Sequence, residues 1–316
     1  MINNLLNREK RNIITDSVLA ENNGIQSMLV EPQEVKNHVA EAFEKWTRKR
    51  DTKFDDMSQI WNSIYTPQES IKSEWYNDVV APFTTEEVQS VINNLNNNSA
   101  PGASGIPYFF LKHLKDSSLE FLVTLFNKIL TTSITPQEWS IGKLFPIPKP
   151  NDWQKDINKT RPITLLETCR KIFTKIITRR LSKVMIDNPI LNVNNWAALP
   201  GGRTHDPINI LNNVMEEARE FKKELWLFFQ DISKAYNSIS GLAVQKAMEQ
   251  IKIPKKLIEI VGGMLENRTN RVITFHGLTD PYMVHDGIDQ GDSISPLLWR
   301  IFYDSLLEAV NKSDLG

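Results

Sequence analysis

The 316-residue sequence predicts an α+β fold, on three observations. Apolar residues recur at helical spacing in several separate segments. A few apolar runs, bounded by charge or proline, are too short for buried helices and fit strands. The 41% hydrophobic content supplies a sizeable core and sets the chain apart from disordered polymers.

The elements follow in order. Val35, Val39, Phe43 and Trp46 form one stripe of an amphipathic helix. From Lys53 to Asn77 the pattern weakens, predicting a linker or loosely docked segment. Thr84 with Glu87 is a capping-box pattern, and Val88, Val91, Ile92 and Leu95 continue it as a short helix. Asparagine, proline and glycine from Asn93 to Pro107 then force a loop. Leu119, Leu122, Phe126, Ile129 and Leu130 restore a helix that ends at Ser133 to Pro136. Ile141 to Pro150 is apolar but carries prolines, which predicts an edge strand or extended arm. Thr164 to Ile186 reads as a helix with Leu165, Ile172, Ile176 and Leu181 on one side and Arg170, Lys171, Lys175, Arg179, Arg180 and Lys183 on the other. Leu225 to Ile232 is an apolar run ending in a carboxylate, which fits a buried strand. Helices around Ala243 to Ile251 and Leu257 to Leu265, a hairpin from Arg271 to Val284, and a last helix from Pro296 to Val310 complete the reading.

Composition narrows the function. One cysteine, Cys169, excludes a disulfide framework or cysteine-built zinc site, fits a reducing compartment, and is read as a small buried apolar residue. Met1 to Arg11 is polar, and no run reaches the roughly 18 apolar residues of a membrane span. A soluble intracellular protein with no membrane partner is expected, with nuclear or cytoplasmic location left open. The net charge of −1 hides an asymmetry: between Lys143 and Lys183, eleven basic side chains face three acidic ones, an excess of eight positive charges. Such a stretch can neutralise phosphates or simply form a solvated face.

Asp231, at the end of its apolar run, is a candidate metal ligand or general base, or else a carboxylate that caps the next turn. Asp231-Ile232-Ser233-Lys234-Ala235-Tyr236-Asn237 resembles the first catalytic palm motif of reverse transcriptases, although Asn237 stands where aspartate is common. Gly287 to Leu298 contains Gln290-Gly291 and Ser295-Pro296-Leu297-Leu298, similar to the family's Gln-Gly and Ser-Pro-Leu-Leu motif. Glycine allows close backbone approach to a nucleotide, and Ser-Pro opens a helix. Ile147-Pro148-Lys149 and Arg161-Pro162-Ile163 resemble the fingers motifs. Ala100 to Pro107 resembles an Ala-Pro-Gly loop, with Ser104 in place of aspartate. Leu199 to Asp206 resembles a template-contacting segment, with Ala-Leu-Pro ahead of Arg203 and Thr204 in place of Gly-Phe-Arg. These five motifs stand in family order over roughly Phe83 to Val310, and the chain is identified as a member of the non-LTR retrotransposon type.

The resemblance implies a reverse-transcriptase-like polymerase fold: a helical N-terminal extension and linker (1–82), fingers (83–222) and a partial palm (223–316). It implies nucleotidyl transfer to a primer 3′-hydroxyl, with two Mg²⁺ (or Mn²⁺) ions about 3.5–4 Å apart. RNA template, DNA primer and deoxynucleoside triphosphates would be the partners. By the same resemblance Asp231 is catalytic and binds metal with the Ile232 carbonyl. Lys149 and Arg161 grip the triphosphate, Tyr236 lies beneath the sugar, Gln290 and Gly291 line the nucleotide, and Arg203 and Thr204 contact template or primer. The family's Ala-Asp-Asp hairpin does not follow Gln290, and the one Asp-Asp pair is Asp55-Asp56. The expectation is therefore a truncated, catalytically inactive chain; the alternative is a non-catalytic nucleic-acid-binding fragment.

Overall fold

The computed structural model describes residues 15–313 apart from Asn23, Thr52, Asp55, 150–152 and Leu199. The polar segment Met1 to Arg11, Asp55 of the Asp-Asp pair, and Pro150 and Leu199 of the motifs above lie outside the described residues.

The chain opens with a hairpin of β1 (Val18–Asn22) and β2 (Ile25–Leu29), followed by helix α1 (Pro32–Trp46). The buried residues of α1 are the four of its stripe, Val35, Val39, Phe43 and Trp46. They pack with Leu144, Val272, Tyr282 and Val284 against one face of a sheet. The hairpin ahead of α1 carries no signal that the sequence reading used.

Residues 53–77 are not a linker. They hold α2 (Gln59–Ile64) and a 3₁₀ turn, Ser73–Val79. Ile64, Ile71, Tyr76 and Val79 are at most 1% exposed, and the Tyr76 hydroxyl donates to the Ile251 carbonyl at 2.7 Å. Local periodicity is poor here because Ile71, Tyr76 and Val79 dock separately onto the larger core.

Helix α3 (Thr85–Asn93) starts where the capping pattern predicts: the Glu87 N–H donates to the Thr84 hydroxyl at 3.2 Å. The Glu87 side chain does not close the box but pairs with Arg180. Helix α4 (Tyr108–Lys112) leaves the Ala-Pro-Gly loop, and α5 (Asp116–Thr132) ends on Ser133 in a left-handed conformation. Their apolar faces enclose an aromatic cluster of Phe83, Phe126, Trp139 and Phe173, with centroid separations of 5.5–6.4 Å.

Strand β3 (Ile141–Pro148) is central, not an edge. It pairs antiparallel with β4 (Thr160–Leu165) over 143–148 and parallel with a later strand over 141–144. Its prolines, Pro146 and Pro148, lie beyond the second pairing, where one side of the strand has no ladder to satisfy. Thr164 and Leu165 thus belong to a strand, and α6 runs from Thr168 to Asp187. Of the six cations assigned to its polar side, Arg170 is 2% exposed, and Arg180 is tied to Glu87 and to the carbonyls of Val79, Ala81 and Pro82.

Helix α7 (His205–Glu220) has no buried residue. After it, Leu225 to Ile232 forms no strand: Trp226, Phe228 and Phe229 are 86%, 90% and 75% exposed. A run apolar on both faces becomes a strand only when a neighbour takes its backbone hydrogen bonds and both faces are covered. Among the described residues no strand pairs with it. Replacing Trp226, Phe228 and Phe229 together by serine is therefore expected to change unfolding free energy by less than about 0.5 kcal/mol. It should also remove the binding of a hydrophobic dye. A penalty of several kcal/mol in urea denaturation would mean that the run is covered in solution.

Helices α8 (Gly241–Gln250) and α9 (Lys255–Leu265) lead to β5 (Arg268–Thr274), the two-residue β6 (Gly277–Leu278), β7 (Tyr282–Val284) and α10 (Ser295–Lys312). The sheet order is β4-β3-β5-β6, with β7 also antiparallel to β5. One large core runs from Ile71 to Ile301 beneath α3 to α6 and α8 to α10; the α1 layer closes a smaller one.

Candidate active site

Three chain corners meet at one end of the sheet. The β3–β4 hairpin brings the first. Ile147 stands opposite Arg161 in the ladder, and the Lys149 N–H donates to the Lys159 carbonyl at 2.8 Å. The two cations, Lys149 and Arg161, therefore flank the loop end of the hairpin, both exposed.

The second corner is the turn after Asp231. Lys234 adopts φ 52°, and Ala235–Asn237 form a 3₁₀ turn. Backbone bonds clamp this turn to the loop before α10: Ile288 N–H donates to the Tyr236 carbonyl at 2.8 Å, and Gly287 N–H to the Ile239 carbonyl at 2.7 Å. Arg50 adds a brace, its guanidinium donating to the Asn237 carbonyl at 3.1 Å while its N–H donates to Asp286 at 2.7 Å. Tyr236 is half-buried with its ring 6.0 Å from that of Trp299, and burial pushes its phenol above the ordinary range.

The third corner is Gln290-Gly291. The Thr164 N–H donates to the Gln290 carbonyl at 2.7 Å, which hangs the turn on β4. A Cβ on Gly291 would lie 2.3 Å from the Thr164 carbonyl oxygen, so only glycine permits this approach. Beneath the turn is a buried ion cluster. Arg170 donates to Asp292 at 3.0 Å, to Asp289 at 2.8 Å and to the Trp139 carbonyl at 2.6 Å. Arg268 donates to Asp289 at 3.0 Å and to the Gly287 carbonyl at 2.7 Å. Burial alone would raise the Asp289 carboxyl, but the guanidiniums of Arg268 and Arg170 outweigh it and hold it below the usual carboxylate range.

The resulting cleft, about 420 Å³, is lined by Lys149, Arg161, Asp231, Ile232, Tyr236 and Gln290 among others. Gly291 packs behind it against β4. Arg203 and Thr204 do not line it; they sit exposed at the N-terminus of α7. Three wall residues had no role in the sequence reading. Trp46, at the end of α1, stands under Lys234, whose ammonium is 3.7 Å from its ring centroid. Asn158 accepts from the Trp46 indole N–H at 3.2 Å and from Lys234 at 3.4 Å. Burial lowers the Lys234 ammonium from its ordinary range; Asp156 opposes the change, and Lys149 and Lys45 add to it. Lys234 lies within the motif that named Asp231 and Tyr236, but a cation–π pair with a residue nearly 190 positions away leaves no mark on local sequence.

Lys149, Arg161 and Lys234, the Asp231 carboxylate and the half-buried Tyr236 ring line one cleft, with the Gly291 turn behind it. The chain belongs to the reverse transcriptase (RNA-dependent DNA polymerase) family, which residues 147–314 match. It is similar to the probable RNA-directed DNA polymerase from transposon BS of Drosophila melanogaster, 23% identical over 223 residues, covering 71% of this chain and 24% of that protein. It is likewise similar to the RNA-directed DNA polymerase from mobile element jockey of the same species, 27% identical over 229 residues, with 71% and 24% covered. A third relative is the Pol polyprotein from type-1 retrotransposable element R2 of Popillia japonica, 24% identical over 228 residues, covering 72% of this chain and 30% of that protein. The motifs and these relatives put the chain with the non-LTR elements. It spans about a quarter of the length of the transposon BS and jockey relatives.

Reverse transcriptases generally use divalent metal ions. Among the described residues no group of three or more His, Cys, Asp or Glu side chains could hold one, and Asp231 is the one carboxylate lining the cleft. That donor set is short of the near-octahedral oxygen shells that two magnesium ions require. No helix among the described residues is long and apolar enough to cross a membrane.

Proposed function

We propose that this chain carries the nucleotide-binding part of an RNA-directed DNA polymerase, in which a deoxynucleoside triphosphate is held for transfer to a primer 3′-hydroxyl on an RNA template. Residues 83–222 are read as fingers and 223–316 as part of the palm, with 1–82 an extension that supplies Trp46 to the cleft wall. The observation that carries the reading is that Lys149, Arg161, Asp231, Tyr236 and Gln290, from four separate segments, line one cleft.

Each has a role its chemistry allows. Lys149 offers a point charge and Arg161 a planar fork to triphosphate oxygens. Tyr236 supplies an apolar floor for the sugar, whose ring would exclude a 2′-hydroxyl. The Gln290 amide reaches the nucleotide, and Gly291 lets its backbone come close. Asp231, with the Ile232 carbonyl, offers hard oxygen ligands to magnesium or manganese. Arg203 and Thr204 meet template or primer outside the cleft. Because the described residues bring one carboxylate to the cleft, the 316-residue polypeptide is expected to hold nucleotide and nucleic acid without incorporating nucleotide.

Labelled deoxynucleoside triphosphate tests the reading. Lys149→Ala with Arg161→Ala removes two charge-assisted contacts worth about 1.5–3 kcal/mol each, so affinity is expected to fall by about 100-fold or more. Unchanged affinity would remove the cleft as the triphosphate site. Primer extension on an oligo-primed RNA template with Mg²⁺ or Mn²⁺ tests the rest. Incorporation abolished by Asp231→Asn would show that further carboxylates are recruited, and would overturn the expected inactivity.

A further inference from the structure

Helix α6 is buried nearly all round, from Ile172, Phe173 and Ile176 to Leu181, Val184 and Met185. Its open stripe carries Lys171, Lys175, Arg179 and Lys183 at successive i, i+4 positions. Lys171 is engaged, donating to the Ala100 carbonyl at 2.9 Å and lying over the Tyr108 ring. Lys175, Arg179 and Lys183 have no hydrogen-bond or ion-pair partner among the described residues. They line an open groove of about 480 Å³, with Pro200 and Ser293 on its other side and Asp187 at its end.

This arrangement departs from that of α8, α9 and α10. Cations on α8, α9 and α10 have acids at helical spacing: Lys246 with Glu249, Lys255 with Glu259, and Lys312 with Glu308. On α6 the neighbours at i+4 are instead of like charge, which costs a helix about 0.2–0.5 kcal/mol per pair. The repulsion is relieved when a polyanion lies along the stripe. Four residues of α-helix rise about 6 Å, so the cations step at an interval commensurate with successive phosphates of one strand. The two backbones of a duplex would diverge from a straight row. Ser293 also joins the groove to the Gln290-Gly291 turn, three residues away.

We propose that the Lys175–Arg179–Lys183 groove tracks the phosphodiester backbone of a single polynucleotide strand on its way to or from the nucleotide cleft. The inference rests on the polymerase reading for the strand's destination, but its test does not depend on that reading. Among the described residues no aromatic side chain lines the groove, so backbone charge dominates and base preference is expected to be weak. Asp187 then acts as a boundary, repelling phosphate beyond Lys183.

The test is anisotropy of labelled oligo(U) and oligo(dT) against KCl concentration. Each phosphate neutralised on a single strand contributes about 0.7 to the log–log salt slope, so Lys175→Gln/Arg179→Gln/Lys183→Gln is expected to flatten the slope by about 2. Both sugars should respond alike, since the shared chemistry is the phosphodiester. Should the triple variant melt early, Arg179→Gln alone, at an exposed position, should flatten the slope by about 0.7. An unchanged slope overturns the proposal, as does an equal loss of poly-glutamate binding, which would mean a generic anion surface. So does a loss seen with duplex alone. Triphosphate binding in the same variant separates the two ideas: retained binding with an unchanged slope sinks the groove and leaves the polymerase reading. Absence of Lys149- and Arg161-dependent triphosphate binding sinks that reading, whatever the slope.

Discussion

Arg170→Ala is expected to destabilise the fold by about 3–5 kcal/mol, a large share of what a domain possesses, because it strands the buried Asp292 carboxylate and takes one of two counter-charges from Asp289. Arg170 is 2% exposed and makes three side-chain donations, and both acidic partners, Asp289 and Asp292, are 5% exposed. Arg268 still reaches Asp289 in the variant, but Asp292 keeps no basic partner. Urea denaturation reads the loss. Arg170→Met with Asp292→Asn should recover part of it, since removing both charges is cheaper than stranding one. A penalty below about 1 kcal/mol for Arg170→Ala would mean that water reaches the cluster, and that the cluster does not hold the Gln290-Gly291 turn.

The pH dependence has a definite sign. Asp289 is held below the ordinary carboxylate range in the folded state, so folding favours its charged form. The stability it contributes is fully present above the unfolded value, about 3.9, and is lost as pH falls through the folded one. Arg170→Ala removes one of the two guanidiniums that lower it, which moves the acid limb of a melting-temperature profile to higher pH.

The helical parts of this fold were legible because their burial is local. The stripes of α1, α3 and α5 repeat at helical spacing, and the residues that form them are buried. Helix α7 was overlooked although Ile208, Leu211, Val214 and Ala218 follow the same spacing. What failed were features decided by partners distant in sequence. A charge count treats Arg170 and Arg179 alike, yet one lies in a buried cluster with residues about 120 positions away and the other faces water. For β3, the prolines argued for an edge, but pairing changes along a strand, and the half without proline is the half with two neighbours. Leu225 to Ile232 shows the opposite error, since composition alone cannot supply the covering strands. The candidate site was more legible than its surroundings, because its residues sit in short motifs; Trp46, Asn158 and the role of Lys234 depend on long-range contacts.

Gly291→Ala is expected to damage both stability and the site, by about 3 kcal/mol or more, because two penalties fall on one residue. Its φ of 143° lies in a region that side-chain-bearing residues rarely adopt, and the added Cβ meets the Thr164 carbonyl oxygen at 2.3 Å. That oxygen belongs to the backbone of β4 and cannot rotate away like the end of a flexible side chain. The turn must instead lift from the strand, which breaks the 2.7 Å bond from the Thr164 N–H to the Gln290 carbonyl and draws Gln290 out of the cleft. Gly105→Ala supplies the control: its φ is also positive, at 76°, but a Cβ there meets nothing within 4 Å, so it carries a conformational cost of about 1 kcal/mol without a collision. The difference between the two variants in urea denaturation isolates the collision. Triphosphate affinity should fall in Gly291→Ala and hold in Gly105→Ala. Equal stability losses would mean that β4 yields to the extra methyl, and that close packing of this turn is not what fixes Gln290.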